Sequence, residues 1–398
     1  MSTLPPMVEL SRRPFVIGDY VLFIQDGALN APTLVVVRKD NPTEVVSVYP
    51  MQVAISSLKI QGNLLFVVTR SNGIQIFDLS DLSNLRHIGE IEPHRAPYRY
   101  FDLEFIHNRA YVTAGYETLE TDGTRHFLRL HVYLFIYDLT EPSRPVLLGD
   151  HLLARWDNFF PAAGGQFANT QVVSLDPDHV AINTYSIGDV RILNVANPQQ
   201  VRTVATLPSL ARTGSIHIRS GMLYVSSFTE ALAVWNIVEP ANPRFYGSIS
   251  KYYGLPFRPE RIIDPEITAV ALWRLRPGLS LSALLGTDDK GLIILEVPDD
   301  ITPAGLFFRS RLPLEYNGTP LAVEEISVID GTAYILASNY GATYIEERLR
   351  RFLIRVNVSN PNLPQLLGII EVPRVPQGPP LPGEPSLPHP EPEQAITP

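Results

Sequence analysis

The side chains best suited to chemistry lie scattered along this chain, outside any compact motif. Eight carboxylates, Asp102, Glu104, Asp157, Glu260, Asp264, Glu266, Glu324 and Glu325, fall in or beside the longest interruptions between apolar runs. Two of them held about 5–9 Å apart would suit acid–base cleavage of a glycosidic bond. A second set mixes arginine with aromatic rings: Arg95, Tyr98, Arg99, Tyr100, Arg155, Trp156, Phe159, Tyr252, Tyr253, Arg258, Arg261 and Tyr316. Tyrosine, tryptophan and arginine are the residue types most often found as binding anchors, because they offer wide amphipathic area and planar donors that grip carboxylates. The same rings, folded back over the core, would instead hold their own loops.

Other chemistries lack their residues. Cysteine is absent, which excludes a disulfide framework, thiol catalysis and thiolate metal sites. The nine histidines include no H-E-x-x-H pair. His126 and His131, five apart on an expected strand, point to opposite faces. Asp288-Asp289 and Asp299-Asp300 lack the alternating oxygen spacing of a calcium loop. There is no G-x-x-x-x-G-K-[ST] phosphate loop and no G-x-S-x-G elbow. No metal and no cofactor is expected. The net charge is −9, and only four of the 32 cationic residues are lysine, so a nucleic-acid partner is not expected either.

The elements that must position these side chains come from a long globular sequence. It has 398 residues, 45 % of them apolar and 18 % charged. No apolar run reaches the roughly 18–20 residues needed to span a bilayer. The first residues show no basic start followed by an apolar stretch, so the sequence as given reads as cytoplasmic, with an extracellular or cell-surface chain as the alternative, and the compartment stays open.

A unit of about fifty residues recurs seven times. Each copy opens with an alternating apolar strand, a tight turn and a returning strand, as in Phe15-VIGDYVLFI, Leu58-KIQGNLLFVV, Leu103-EFIHNRAYVTA, Val172-VSLDPDHVAIN, Ile216-HIRSGMLYVSS, Val270-ALWRLRPGLSLSALL and Ile326-SVIDGTAYILA. Most turns carry Gly, Asn or Asp, the residues that tolerate the positive φ of two-residue hairpins. A third strand follows and ends at Arg38, Asp78, Asp138, Asn194, Asn236, Glu296 or Asn357. Proline comes four residues later in five copies, at Pro42, Pro142, Pro198, Pro240 and Pro361. These polar ends are read as folding residues, short acceptors for backbone N–H groups in the turn. A fourth short apolar strand closes each unit. Small sheets of this kind bury both faces only by packing on one another in a ring.

The unit V-x-V-x-G-x-x-x-Y-V followed by I-x-D-[LV]-x-x-P resembles the LVIVD repeat of bacterial and archaeal β-propellers. The nearest copies are Leu58–Glu90, Leu103–Gly149, Ile216–Gly247 and Ile326–Gly368. The first copy departs from it at Arg38, and the sixth has an expanded Arg274–Leu281 turn. The resemblance implies an all-β, seven-bladed propeller of four-stranded antiparallel blades, and it carries no shared catalytic residue. The expected organisation is a segment over 1–12, blades at about 13–49, 56–92, 101–150, 167–207, 213–249, 266–310 and 324–371, and a proline-rich extended tail over 372–398.

Alternating strand direction places the first-to-second and third-to-fourth turns on one rim, and the second-to-third loops and blade links on the other. The second rim holds the long connectors, including 92–102, 151–169, 250–266 and 311–325. Two further projections lie on it, a hairpin over 116–126 and a loop over 339–351. Long loops on a rigid scaffold are the usual place for recognition. The expected function is therefore a non-enzymatic binding or scaffold protein that takes a protein, peptide or glycan on the long-loop rim. One alternative is a hydrolase or lyase acting on a sugar or ester in the axial funnel. Another is a structural subunit of a larger assembly, with the tail as a docking strip for a partner.

Overall fold

A computed structural model describes residues 14–25, 32–70, 72–92, 98–122, 125–158, 170–183, 189–208, 213–219, 221–227, 230–250, 267–273, 281–287, 291–297, 307–339 and 350–372. The expected N-terminal segment over 1–12, residues 274–280 of the sixth turn, residues 340–349 of the expected loop projection and the tail from residue 373 lie outside these residues. The described chain forms seven antiparallel sheets.

Blade 1 is β1 (Phe15–Ile17), β2 (Tyr20–Gln25), β3 (Thr33–Arg38) and β4 (Val45–Pro50). Blade 2 is β5 (Ile55–Gln61), β6 (Leu64–Thr69), β7 (Ile74–Asp78) and β8 (Arg86–Ile91). Blade 3 is β9 (Arg99–Ile106), β10 (Arg109–Asp122), β11 (Arg125–Asp138) and β12 (Val146–Asn158). Blade 4 is β13 (Val172–Asp176), β14 (His179–Asn183), β15 (Val190–Asn194) and β16 (Arg202–Leu207). Blade 5 is β17 (Thr213–Arg219), β18 (Met222–Ser227), β19 (Glu230–Asn236) and β20 (Arg244–Ser250). Blade 6 is β21 (Ile267–Trp273), β22 (Leu281–Thr287), β23 (Leu292–Val297) and β24 (Phe307–Leu312). Blade 7 adds a short leading strand, β25 (Glu315–Tyr316), to β26 (Thr319–Ile329), β27 (Thr332–Asn339), β28 (Arg351–Asn357) and β29 (Gln365–Glu371).

Strand order within each sheet follows the chain, and the first strands of blades 2 to 7 neighbour one another in turn, with β26 reaching β1. These strands therefore surround the axis. Alternation assigns each strand's side chains to two seams. In β6, Leu65 and Val67 face blade 1 while Phe66 and Val68 face blade 3. Each seam holds one apolar cluster, and both strand faces are covered. That is why the inner strands read as continuous apolar runs. Each fully buried Val, Leu or Phe contributes about 1.5–3 kcal/mol.

The polar strand ends behave as expected in five blades. Asp78, Asp138, Asn194, Asn236 and Asn357 each accept the backbone N–H two residues on, at 2.8–3.4 Å. Arg38 instead pairs with Asp40, and Glu296 with Arg309. The residue after each of the five is apolar and buried in a seam, as Leu79 and Leu139 are. In six blades that next residue donates its N–H to a carbonyl of the first hairpin turn, at 2.7–2.8 Å. The two turns of one rim are thereby locked together. Proline then opens a type I turn, closed for example by Gln200 N–H on the Asn197 carbonyl at 3.0 Å. Blade 3 departs from the expected turn chemistry, because His107 occupies a left-handed conformation (φ 54°).

One device was not read from the sequence. In every blade the pairing of third and fourth strands slips at one equivalent place, between Val36/Val37, Ile76/Phe77, Ile136/Tyr137, Ile192/Leu193, Val234/Trp235, Ile294/Leu295 and Arg355/Val356, and blades 3 and 5 slip a second time, between Val132/Tyr133 and Glu230/Leu232. The residue after each equivalent bulge is small: Ser47, Gly89, Gly149, Ala205, Gly247, Ser310 or Gly368. At several seams the next blade's proline-type turn docks on it. Ser47 and Ser310 donate their hydroxyls to the carbonyls of Leu82 (2.7 Å) and Pro361 (2.6 Å). At Gly89 and Gly149 the turn backbone itself takes the place of a side chain.

Candidate binding rim

The locked rim is nearly uniform. Its first turns are two residues long in five blades, at 18–19, 62–63, 107–108, 177–178 and 330–331, and in blade 5 Arg219 pairs with Met222 across the turn. The opposite rim carries the strand ends between which the sequence runs longest, as from Asn158 to Val172 and from Ser250 to Ile267. It also carries the expected hairpin projection of blade 3. β10 and β11 stay paired out to Asp122 opposite Arg125. β12 accompanies them as far as Asn158 opposite Leu128. The stretch read as a link from His151 therefore begins as strand, and the projection is a three-stranded wing.

Both faces of the wing are packed at its base. On one side Phe101, Leu130, Val132 and Ala154 form a small cluster. On the other, Tyr116 stacks on His131 (4.6 Å between ring centres, 4° between planes), and Tyr133 stacks on Phe135. Tyr98 meets Tyr116, Tyr133 and Phe135 edge-on at 5.0–5.5 Å. Further out, Arg129 pairs with Glu120, and Thr118 shares that carboxylate at 3.1 Å.

The expected anchors separate accordingly. Tyr98 and Tyr100 are buried in the seam between blades 2 and 3, so these rings hold the rim rather than project from it. Tyr316 is half-buried, with its ring against Phe352 (4.8 Å) and beneath Arg350 (5.7 Å). Arg99 and Arg155 are exposed, at opposite edges of the blade 3 sheet. Trp156 lies on β12 opposite Leu130, and its side chain is outside the described set. Arg95, Phe159, Tyr252, Tyr253, Arg258 and Arg261 also lie outside the described residues. Among the described residues the anchors do not converge on one pocket.

The carboxylates near the axis are engaged. Asp102 is wholly buried; Ser57 Oγ donates to its Oδ1 (2.6 Å) and Val172 N–H to its Oδ2 (3.2 Å), so one carboxyl ties blades 2, 3 and 4. Burial pushes its pKa above the ordinary value, against the pull of Lys59 and these two donors. Glu104 pairs with Lys59 at 3.3 Å, and Glu324 with Arg351. Asp157, Glu260, Asp264 and Glu266 have no described side chain. Gln171 works as Asp102 does one seam later, taking the Ile216 N–H at 2.7 Å. Ser57 and Gln171 were not singled out from the sequence; their signal is a polar residue beside the apolar start of a first strand. Among the described residues no group of three or more His, Asp or Glu could hold a metal. A cleft of about 760 Å³ opens between blades 2 and 3, lined among others by His87, Glu90, Tyr137, Arg144 and Leu147. It borders the locked rim and contains none of the expected anchors.

The LVIVD repeat family matches residues 54–92, which is blade 2 from end to end. No curated protein matches the chain. Among solved structures, a hypothetical selenium-binding protein from Sulfolobus tokodaii is 12% identical, with a TM-score of 0.59 over 89% of this chain and 90% of that one. The periplasmic gluconolactonase of Pseudomonas aeruginosa is 14% identical, with a TM-score of 0.56 over 89% and 96%. The β-propeller domain of Myceliophteria thermophila Cps50 (Swd1) is 12% identical, with a TM-score of 0.53 over 88% and 99%. At such identities the likeness concerns the fold. No helix among the described residues is long and apolar enough to cross a membrane. The chain is a seven-bladed β-propeller whose second blade matches the LVIVD repeat family.

Proposed function

We propose that this propeller is a non-enzymatic scaffold that recognises a protein, peptide or glycan on the rim bearing the blade 3 wing. The observation that carries the reading is the wing itself: β10, β11 and β12 alone run 13 or 14 residues, twice the length of most strands in the ring. Exposed Arg99 and Arg155 at its base supply planar donors for carboxylates or sugar hydroxyls. Asp102 and Glu104 serve blade-to-blade contacts and Glu324 pairs with Arg351 within blade 7, which weighs against the alternative of a sugar or ester hydrolase. The similar propellers include a gluconolactonase, so the fold itself does not decide between the two. The proline-rich tail is a second contact in this reading, suited to an aromatic-lined groove.

The test is affinity capture from the native organism with the wild-type chain and with an Arg99→Ala/Arg155→Ala/Trp156→Ala variant. The expected result is at least a tenfold loss of captured partner at an unchanged melting temperature. Capture that survives the triple change removes the wing from the binding surface. Turnover of a lactone or ester by the wild type, abolished by Glu104→Gln, would replace the scaffold reading with the enzymatic one.

A further inference from the structure

Six of the seven seams are bridged by main chain, because the chain runs from each fourth strand into the next blade. At the first seam the linking residue Met51 is buried in the seam cluster, and its N–H donates to the Pro32 carbonyl at 2.8 Å. Val372 repeats this arrangement at the seventh seam. Its N–H donates to the Arg351 carbonyl at 2.8 Å. Its side chain is 2% exposed and lies with Leu336 and Leu353 of blade 7 against Val21, Phe23 and Val35 of blade 1. There the parallel ends. After Val372 the sequence continues into the proline-rich stretch 373–398. Among the described residues, blades 7 and 1 share no strand.

The residue before it is held on blade 7. Arg350 donates to both oxygens of Glu371, Nε to Oε1 at 2.8 Å and Nη2 to Oε2 at 2.6 Å. The same guanidinium lies over the rings of Tyr316 and Phe352. The backbone is thus fixed where the Val372 side chain enters the seam. Across the seam, Arg355 donates to the Lys39 carbonyl at 3.4 Å, a long bond of small weight.

We propose that Val372 is the latch of the ring: the blade 7–blade 1 seam opens before any other, and the root of the tail controls that opening. A seam bridged by main chain recloses by an intramolecular step over a short link, whereas among the described residues this one has side-chain packing and one long hydrogen bond to bring its faces back. Any ligand that draws on the tail acts one residue from the latch.

Hydrogen exchange read by mass spectrometry tests this on three full-ring chains: wild type, Val372→Asp, and a chain ending at Val372. Local opening shows as exchange confined to the strands that open. Val372→Asp should speed exchange in β2, β3, β27 and β28 at least tenfold while β10 and β14 stay at the wild-type rate. The chain ending at Val372 should match wild type throughout. Equal acceleration in all blades, or none, overturns the latch. Acceleration in the chain ending at Val372 overturns it too, by moving the closure into the tail. Should Val372→Asp not fold, Val372→Ala is read the same way.

Discussion

Gly149→Ala should lower stability by about 3 kcal/mol, while Gly368→Ala, at the same position of another blade, should leave it within about 0.5 kcal/mol of wild type. Both glycines follow the bulge between third and fourth strands, opposite Ile136 and Arg355 respectively. A Cβ at Gly149 would fall inside van der Waals contact of the Pro198 carbonyl oxygen and 3.1 Å from its carbon, which is main chain of blade 4 and has little room to yield. The turn that carries Pro198 is also held by His151, whose Nε2–H donates to the same carbonyl at 2.6 Å. A methyl group there must part the seam or break that bond. At Gly368 a Cβ would meet only the end of Arg355, at 3.8 Å. The gain of roughly 0.4–1 kcal/mol from replacing a flexible glycine then offsets any small repulsion. Urea midpoints of the two variants and the wild type decide the matter. Equal midpoints for both would mean that turn docking on the small residue does not hold the seams.

That contrast also marks where the sequence was legible. The count of seven blades, the four strands of each and the turn role of Asp78, Asp138, Asn194, Asn236 and Asn357 follow from local chemistry. A hairpin turn needs positive φ, a strand end needs a short acceptor, and both leave residues at fixed spacing. The docking of one blade on the next was not legible, because it depends on backbone brought close by the ring. Gly149 and Ser310 differ as letters, yet both receive a turn from the following blade. The anchors suffered for the same reason. Tyr98 and Arg99 are adjacent and equally suited to binding by type, but strand alternation buries the first and exposes the second. Loop length pointed to the rim, and β12 shows its limit: residues 151–158 read as connector because their strand partner, the outer half of β11, belongs to a hairpin twice the usual length.

Asp102→Ala should cost about 4 kcal/mol, the largest effect expected of any single change in the ring. Its two donors, the Ser57 hydroxyl and the Val172 N–H, belong to residues with no exposed surface, and each would be left without its acceptor. About 1–3 kcal/mol attends each buried donor so abandoned. Asp102→Asn keeps the volume and one acceptor oxygen but turns an amide N–H₂ toward the other donor, so about half the loss is expected. The pH dependence then identifies the protonation state. Desolvation is the largest influence on Asp102 and raises its folded pKa above the ordinary 3.8. Between the unfolded and folded values the unfolded chain has released a proton that the folded chain still holds, so stability falls as pH rises through that window. The asparagine variant has no such group. The stability difference between wild type and Asp102→Asn should therefore be greatest at acid pH and narrow as pH rises above 3.8. A difference that widens with pH would mean that Lys59 and the two donors outweigh burial, and that blades 2, 3 and 4 are tied by a carboxylate that ionises more readily in the ring than in the unfolded chain.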